Sequence, residues 1–257
     1  MQRRSSVRST RKSRARFAVV AVVLIAGCSK EDPGTSPLTG GASPSATAAP
    51  AAPPAPLVKK GPVRIELSAE TLVIGGDSLG ARDEWTKRLP AVLAGERIDH
   101  EHITLEVDRK ARPSAVRQLV ESIRGQKPKA LTIATAHRSG KLSQLEVSLA
   151  RTDLEACSAT AFIGKDAGVS VWTAGGATAQ KFAKGLGGPD MTMGGGALTK
   201  ARSACPTGRV VLGADDAMIW GLLVDLVVAS TPPGEKGATG IVLADGLVPG
   251  RKVKILN

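Results

Sequence analysis

The stretch Ile103–Thr135 reads ITLEVDRKARPSAVRQLVESIRGQKPKALTIAT, and its pattern decides the fold class. Ile103–Val107 alternates apolar and polar residues, the period of a strand with one buried face. Asp108 opens a short polar turn. Pro113 then suits the first turn of a helix, where a missing N–H leaves no bond unmade. Val116, Leu119, Val120 and Ile123 follow at helical spacing and give that helix one apolar face. Ala130–Ala134 (ALTIA) returns to strand. Strand, helix and strand within about 30 residues make an α/β unit.

Working upstream, Val63–Leu67 (VRIEL) and Thr71–Ile74 flank Ser68-Ala69-Glu70 and predict a hairpin. Asp83–Leu93 (DEWTKRLPAVL) is acidic at its start and apolar at Trp85, Leu89, Val92 and Leu93, which predicts a helix. Pro90 inside it predicts a kink or a late start. Downstream, Leu145–Leu149 is a candidate for a further strand. The second half replays the order. Thr160–Ile163 and Val169–Trp172 flank the turn sequence GKDAG, Arg209–Gly213 reads as a strand, Ile219–Ala229 as an apolar helix and Gly240–Ala244 as a strand. Overlaying Val107-Asp108 on Ala214-Asp215 puts Pro113 on Trp220, Val116 on Leu223, Leu119 on Leu226 and Val120 on Val227. The expectation is a duplicated unit, with Asp108 and Asp215 capping the turns after their strands.

The segment from Trp172 to Leu198 breaks this symmetry with Gly175, Gly176, Gly185, Gly187, Gly188 and Gly194–Gly196. GGGALTK lacks the spacing of a phosphate loop, which needs four residues between its first Gly and the Gly-Lys pair. It reads as an inserted hairpin or mobile flap with Gly175-Gly176 at its turn. Trp85 and Trp220 fall on helices and are expected in the core. Trp172, beside the glycine-rich segment, is the tryptophan singled out as a candidate partner contact.

Ahead of the folded part, Thr47–Pro56 reads TAAPAAPPAP within a Pro/Ala/Ser-rich stretch that predicts a disordered tether. At the start, seven Lys/Arg precede the uncharged run Phe17–Gly27, then Ile25-Ala26-Gly27-Cys28. Basic, apolar and small-residue regions in that order make a secretory signal. Eleven apolar residues are too few to span a bilayer, which takes about 20. The Ile-Ala-Gly-Cys ending resembles the signal of bacterial lipoproteins. The resemblance implies cleavage before Cys28 and attachment of diacylglycerol to its sulfur, with Ser29 favouring the outer membrane on its periplasmic side. An ordinary signal peptide or a membrane anchor containing a cysteine is the other reading. The expected divisions are a signal peptide at 1–27, a lipidated tether at 28–61, and two modules at 62–150 and 151–257.

Processing also changes the charge argument. The whole chain carries a net charge of +12, but without the signal it holds 28 Lys+Arg against 23 Asp+Glu. With three Trp, three Phe and no Tyr, it has few aromatics for stacking on bases, so no nucleic-acid partner is expected. Cys157 and Cys205 remain as an even pair in an exported chain, which predicts a disulfide; two buried free thiols are the alternative. Neither lies in a CxxC.

The quoted stretch resembles the periplasmic domain of the ExbD/TolR family. There an apolar-Asp pair ends a strand, a Pro or aromatic residue opens a helix, and a strand ends near Thr. Val107-Asp108, Pro113 and Leu131–Thr135 match, and Ala214-Asp215, Trp220 and Ile241–Leu243 match again. The resemblance implies two tandem α/β (α+β) modules, each a small mixed sheet with helices on one face, in an envelope protein. It does not carry over the motor role, because Phe17–Gly27 has no acidic residue. What it leaves is docking of an envelope protein or of peptidoglycan. A catalytic set is not legible. Asp99-His100-Glu101-His102 offers two imidazoles on one face of an extended segment, but no third ligand nearby, and catalytic zinc takes three. The expectation is a non-enzymatic binding or scaffolding protein with no cofactor and no metal. The alternative is an envelope enzyme or small-ligand binder using a cleft beside Gly175–Gly196.

Overall fold

A computed structural model describes residues 63–95, 102–149, 154–206, 208–232 and 240–254. The expected signal peptide, Cys28 and tether lie outside these residues, as does His100. The described residues belong to one compact unit.

The first half builds a six-stranded mixed sheet. It contains β1 (Ile65–Leu67), β2 (Thr71–Ile74), β3 (Asp77–Ala81), α1 (Arg82–Gly95), β4 (His102–Val107), α2 (Pro113–Arg124), β5 (Ala130–Ala136) and β6 (Leu142–Glu146). The strands lie in the order β3-β2-β1-β4-β5-β6, with β1, β4 and β5 parallel. The second half contains β7 (Ala159–Ile163), β8 (Val169–Thr173), β9 (Gln180–Phe182), α3 (Met191–Ser203), β10 (Val210–Ala214), α4 (Trp220–Ala229) and β11 (Ile241–Leu243). Its order is β9-β8-β7-β10-β11, with β7, β10 and β11 parallel.

These are two mixed-sheet modules with one topology apart from β6, and their shared strands agree in register. Leu67 pairs with Val107 and Leu72 in the first sheet, as Ile163 pairs with Ala214 and Val169 in the second. α2 opens at Pro113 and α4 at Trp220, as the overlay requires.

Four sequence expectations change. The glycine-rich segment is no insertion: β9 pairs with β8, and α3 follows it, as β3 and α1 follow β2. The first hairpin gains β3 through Gly75-Gly76, whose φ angles of 60° and 94° suit a two-residue hairpin turn. α1 begins at Arg82, so Pro90 sits within a helix already under way. The strand sought at Leu145–Leu149 runs from Leu142 to Glu146, with Val147 forming a single bridge to Ile241 of the second sheet.

One apolar core joins the inner faces of both sheets to all four helices, from Ile65 and Trp85 through Leu119 and Leu198 to Trp220 and Leu243. The outer faces differ. In the second sheet that face carries Trp172, Val211 and Val242, covered by Leu247 and Val253 of the chain's end. The register-equivalent positions of Val211 and Val242 in the first sheet are Thr104 and Thr132. Beside them Arg64 bonds Glu106 through Nε at 3.0 Å and Nη2 at 2.6 Å. A sheet face covered by chain takes apolar residues, whereas here Thr104 is exposed and Thr132 is buried against His102.

Candidate functional site

The two halves meet through the corners that the repeat makes equivalent. Asp108 Oδ1 accepts the Lys110 amide at 2.6 Å, and Asp215 Oδ1 accepts the Ala217 amide at 2.9 Å, so each aspartate turns the chain after its strand. The corners then cap each other's helices. Asp216 Oδ1 accepts the amide of Ser114 in the first turn of α2 at 3.1 Å. In return, the carbonyls of Ala111 and Arg109 accept the amides of Trp220 and Gly221 at 2.8 Å each, where α4 has no side-chain cap of its own. The Trp220 indole donates to Thr135 Oγ1 at 2.9 Å.

Arg109 grips Asp225 with both guanidinium ends, at 2.8 and 2.7 Å. Asp225 is 8% exposed on an otherwise apolar helix. Burial works against its charge, but donation and charge from Arg109, with His137 and the Arg138 amide, outweigh it and lower its pKa. His137 Nε2 lies 3.4 Å from Asp225, and its Nδ1 lies 2.9 Å from Ser139 Oγ. This has the order of a Ser-His-Asp relay. However, Asp225 is already neutralised by Arg109, and the Gly140 amide beside Ser139 is bonded to the His137 carbonyl. The group anchors the β5–β6 turn against α4.

Two clefts follow from this geometry. The first, of about 480 Å³, opens at the carboxyl ends of β10 and β11 against α2. α/β proteins often bind ligands at such a place. Four of its five charged side chains are paired across the halves, Arg82 with Asp216 at 3.7 Å and Arg117 with Asp245 at 2.6 Å, while Asp215 also lines it. The Asp216 pKa is lowered, because donation from Ser114 and the charges of Arg82 and Arg112 overcome the opposing effect of burial.

The second cleft, of about 790 Å³, lies between β6 and the last turn of α4. Among the described strands, β6 has a ladder only with β5. The bonds from His137 N to Lys141 O and from Val147 N to Leu131 O fix its phase. Bonded and non-bonded pairs alternate in an antiparallel ladder, so the peptide groups of Leu142 and Gln144 point away from β5. The same cleft is lined by Val227, Val228 and Pro232, with His102, Thr104 and Thr132 on the sheet side. Leu142 is 58% exposed at the mouth.

The sequence-derived candidates disperse. Cys157 and Cys205 are joined in a disulfide. Trp172 is not a partner contact: it is 3% exposed, its indole donates to the Arg251 carbonyl at 2.9 Å, and the chain's end covers it. None of five well-formed clefts among the described residues is lined by Gly175–Gly196, beside which a ligand cleft was expected. His102 begins β4 and bonds Thr132 Oγ1 at 3.0 Å through Nε2. Sequence reading missed Asp216, Asp225, Arg109 and the β6 edge. A buried aspartate in an apolar helix was the available signal for Asp225; partners more than 100 residues apart left none for the others. No family model, curated protein or solved structure matches this chain.

Proposed function

We propose that this chain is a non-enzymatic cell-envelope lipoprotein, held on the periplasmic side of the outer membrane through Cys28, that docks an extended segment of an envelope protein along β6. The supporting observation is the β6 edge itself, with outward peptide groups at Leu142 and Gln144 beside the apolar wall of α4. Strand addition takes affinity from main-chain hydrogen bonds and specificity from side-chain pockets. The resemblance to ExbD/TolR modules agrees with this role and suggests that system as the source of the partner. The other cleft, with four of its five charged side chains paired, gives no comparable reason to favour catalysis.

The test places a photo-crosslinking amino acid at position 142 or 144 in the native cell, with position 165 as control. Adducts to an envelope protein from the first two positions, absent from the third, are expected. Adducts to peptidoglycan alone, or equal labelling from all three positions, overturn the reading.

A further inference from the structure

We infer that the Cys157–Cys205 corner is a second kind of site when its disulfide is reduced: a three-ligand zinc site completed by Glu155. Glu155 Oε2 lies 3.8 Å from Cys157 Sγ and 3.6 Å from Cys205 Sγ. Disulfide sulfurs carry no proton, so this oxygen receives no hydrogen bond from either of them. The two sulfur–oxygen spacings suit a metal, and on reduction the sulfurs would part to the roughly 3.8 Å that two thiolates on one zinc require. With Zn–S at about 2.3 Å and Zn–O at about 2.1 Å, a tetrahedron sets sulfur and oxygen about 3.6 Å apart.

The backbone holds the three groups together without the covalent bond. The Ser158 amide donates to the Glu155 carbonyl at 2.8 Å, closing a turn that presents Glu155 and Cys157 side by side. The Gly175 amide ties that turn to β8 through the Ala156 carbonyl at 2.7 Å. Cys205 follows α3, its amide bonded to Arg202 and its carbonyl to the Gly208 amide. A Cβ at Gly208 would collide with Cys205 Sγ, so this approach requires glycine. Cys205 is buried, while Cys157 and Glu155 are exposed, which gives an ion access from one side and leaves its fourth position to water. Two thiolates and a carboxylate select a soft or borderline divalent ion such as zinc.

The chemistry balances. A dithiol reductant gives two electrons and two protons to the Cys157–Cys205 bond and becomes a disulfide itself. Zinc then displaces both thiol protons to solvent and takes the two sulfurs and Glu155 Oε2. Disulfide and metal are mutually exclusive, so the corner reports the redox state of its compartment.

The test uses the full chain carrying Cys28→Ser, which leaves this pair as the only thiols. After reduction and removal of reductant without oxygen, Zn²⁺ is titrated against a chromophoric chelator and Co²⁺ is followed by its thiolate charge-transfer band. One equivalent of either ion should bind the reduced chain and none the oxidised chain. Glu155→Gln should weaken binding by about tenfold or more, taking the loss typical of perturbed metal sites. Zinc should also raise the melting temperature of the reduced chain and leave that of Cys157→Ser/Cys205→Ser unchanged. Absence of stoichiometric uptake, a Glu155→Gln variant that binds as tightly as its parent, or a reduced chain that stays unfolded with zinc present each overturns the inference.

Discussion

Asp225 is the side chain with the most to lose, because its carboxylate lies inside an apolar helix and one arginine supplies two of its bonds. Removing one partner of such a pair strands the other, and the loss exceeds anything the intact pair contributes. Arg109→Ala should therefore destabilise the protein by about 3 kcal/mol, read from urea unfolding, with Arg109→Lys recovering only part because it lacks the bidentate fork. A loss below about 0.5 kcal/mol, typical of surface changes, would show that the pair matters little. The pH dependence has a definite sign. The Asp225 and Asp216 pKa values are lowered in the folded state, so their contribution is complete above the unfolded carboxylate value of about 3.9. It is lost as pH falls through the folded values. Asp225→Asn should flatten stability against pH below about pH 4 and leave the slope near neutrality unchanged. Of these residues, Asp108 and Asp215 were legible in sequence, because an aspartate after a strand bonds its own local backbone. Arg109, Asp216 and Asp225 were not, because their partners come from the other half of the chain.

At the scale of elements, α3 explains why glycines cluster where a flap is the natural reading. A Cβ on Gly195 would sit 2.8–2.9 Å from Cβ, C and O of Ala229 in α4, and one on Gly194 would meet Val169 at 2.8 Å. The helix packs by backbone approach, and glycine is what permits it. Gly196 faces open space. Gly195→Ala should thus lower the melting temperature, while Gly196→Ala should stabilise by about 0.5–1 kcal/mol, since alanine loses less entropy in a helix. Equal effects from the two substitutions would refute this account of the glycines. Helix propensity argued against α3, and the contact with α4 overrides it. By contrast, α2 was legible from Pro113 and its apolar spacing, since an amphipathic face is written at regular intervals. The Gly75-Gly76 turn ahead of β3 carried a two-glycine hairpin signal that the sequence reading passed over.

For the whole molecule, one core joins both sheets, and reciprocal capping ties the two corners. Calorimetry should therefore show a single transition for residues 57–257; two separated transitions would mean that the halves are independent. Holding the chain under reducing conditions removes a link between residues 48 apart, which by the chain-entropy model lowers stability by about 4 kcal/mol. A chain whose urea midpoint is indifferent to reductant would contradict this. Cys28→Ala tests the proposed anchor separately: the protein should leave the membrane fraction, and equal retention would refute lipid attachment there. By itself the sequence determined the α/β class and the duplicated order of elements, and made a Cys157–Cys205 disulfide the expectation that the structure bears out. Those features rest on periodicity, local turn chemistry and residue counting, which are properties of neighbouring positions. Only the tertiary structure decided that the halves cap each other's helices, that Trp172 is covered by the chain's end, and that β6 keeps an edge beside α4. Each depends on which distant segment reaches a given face first, and packing in three dimensions alone sets that.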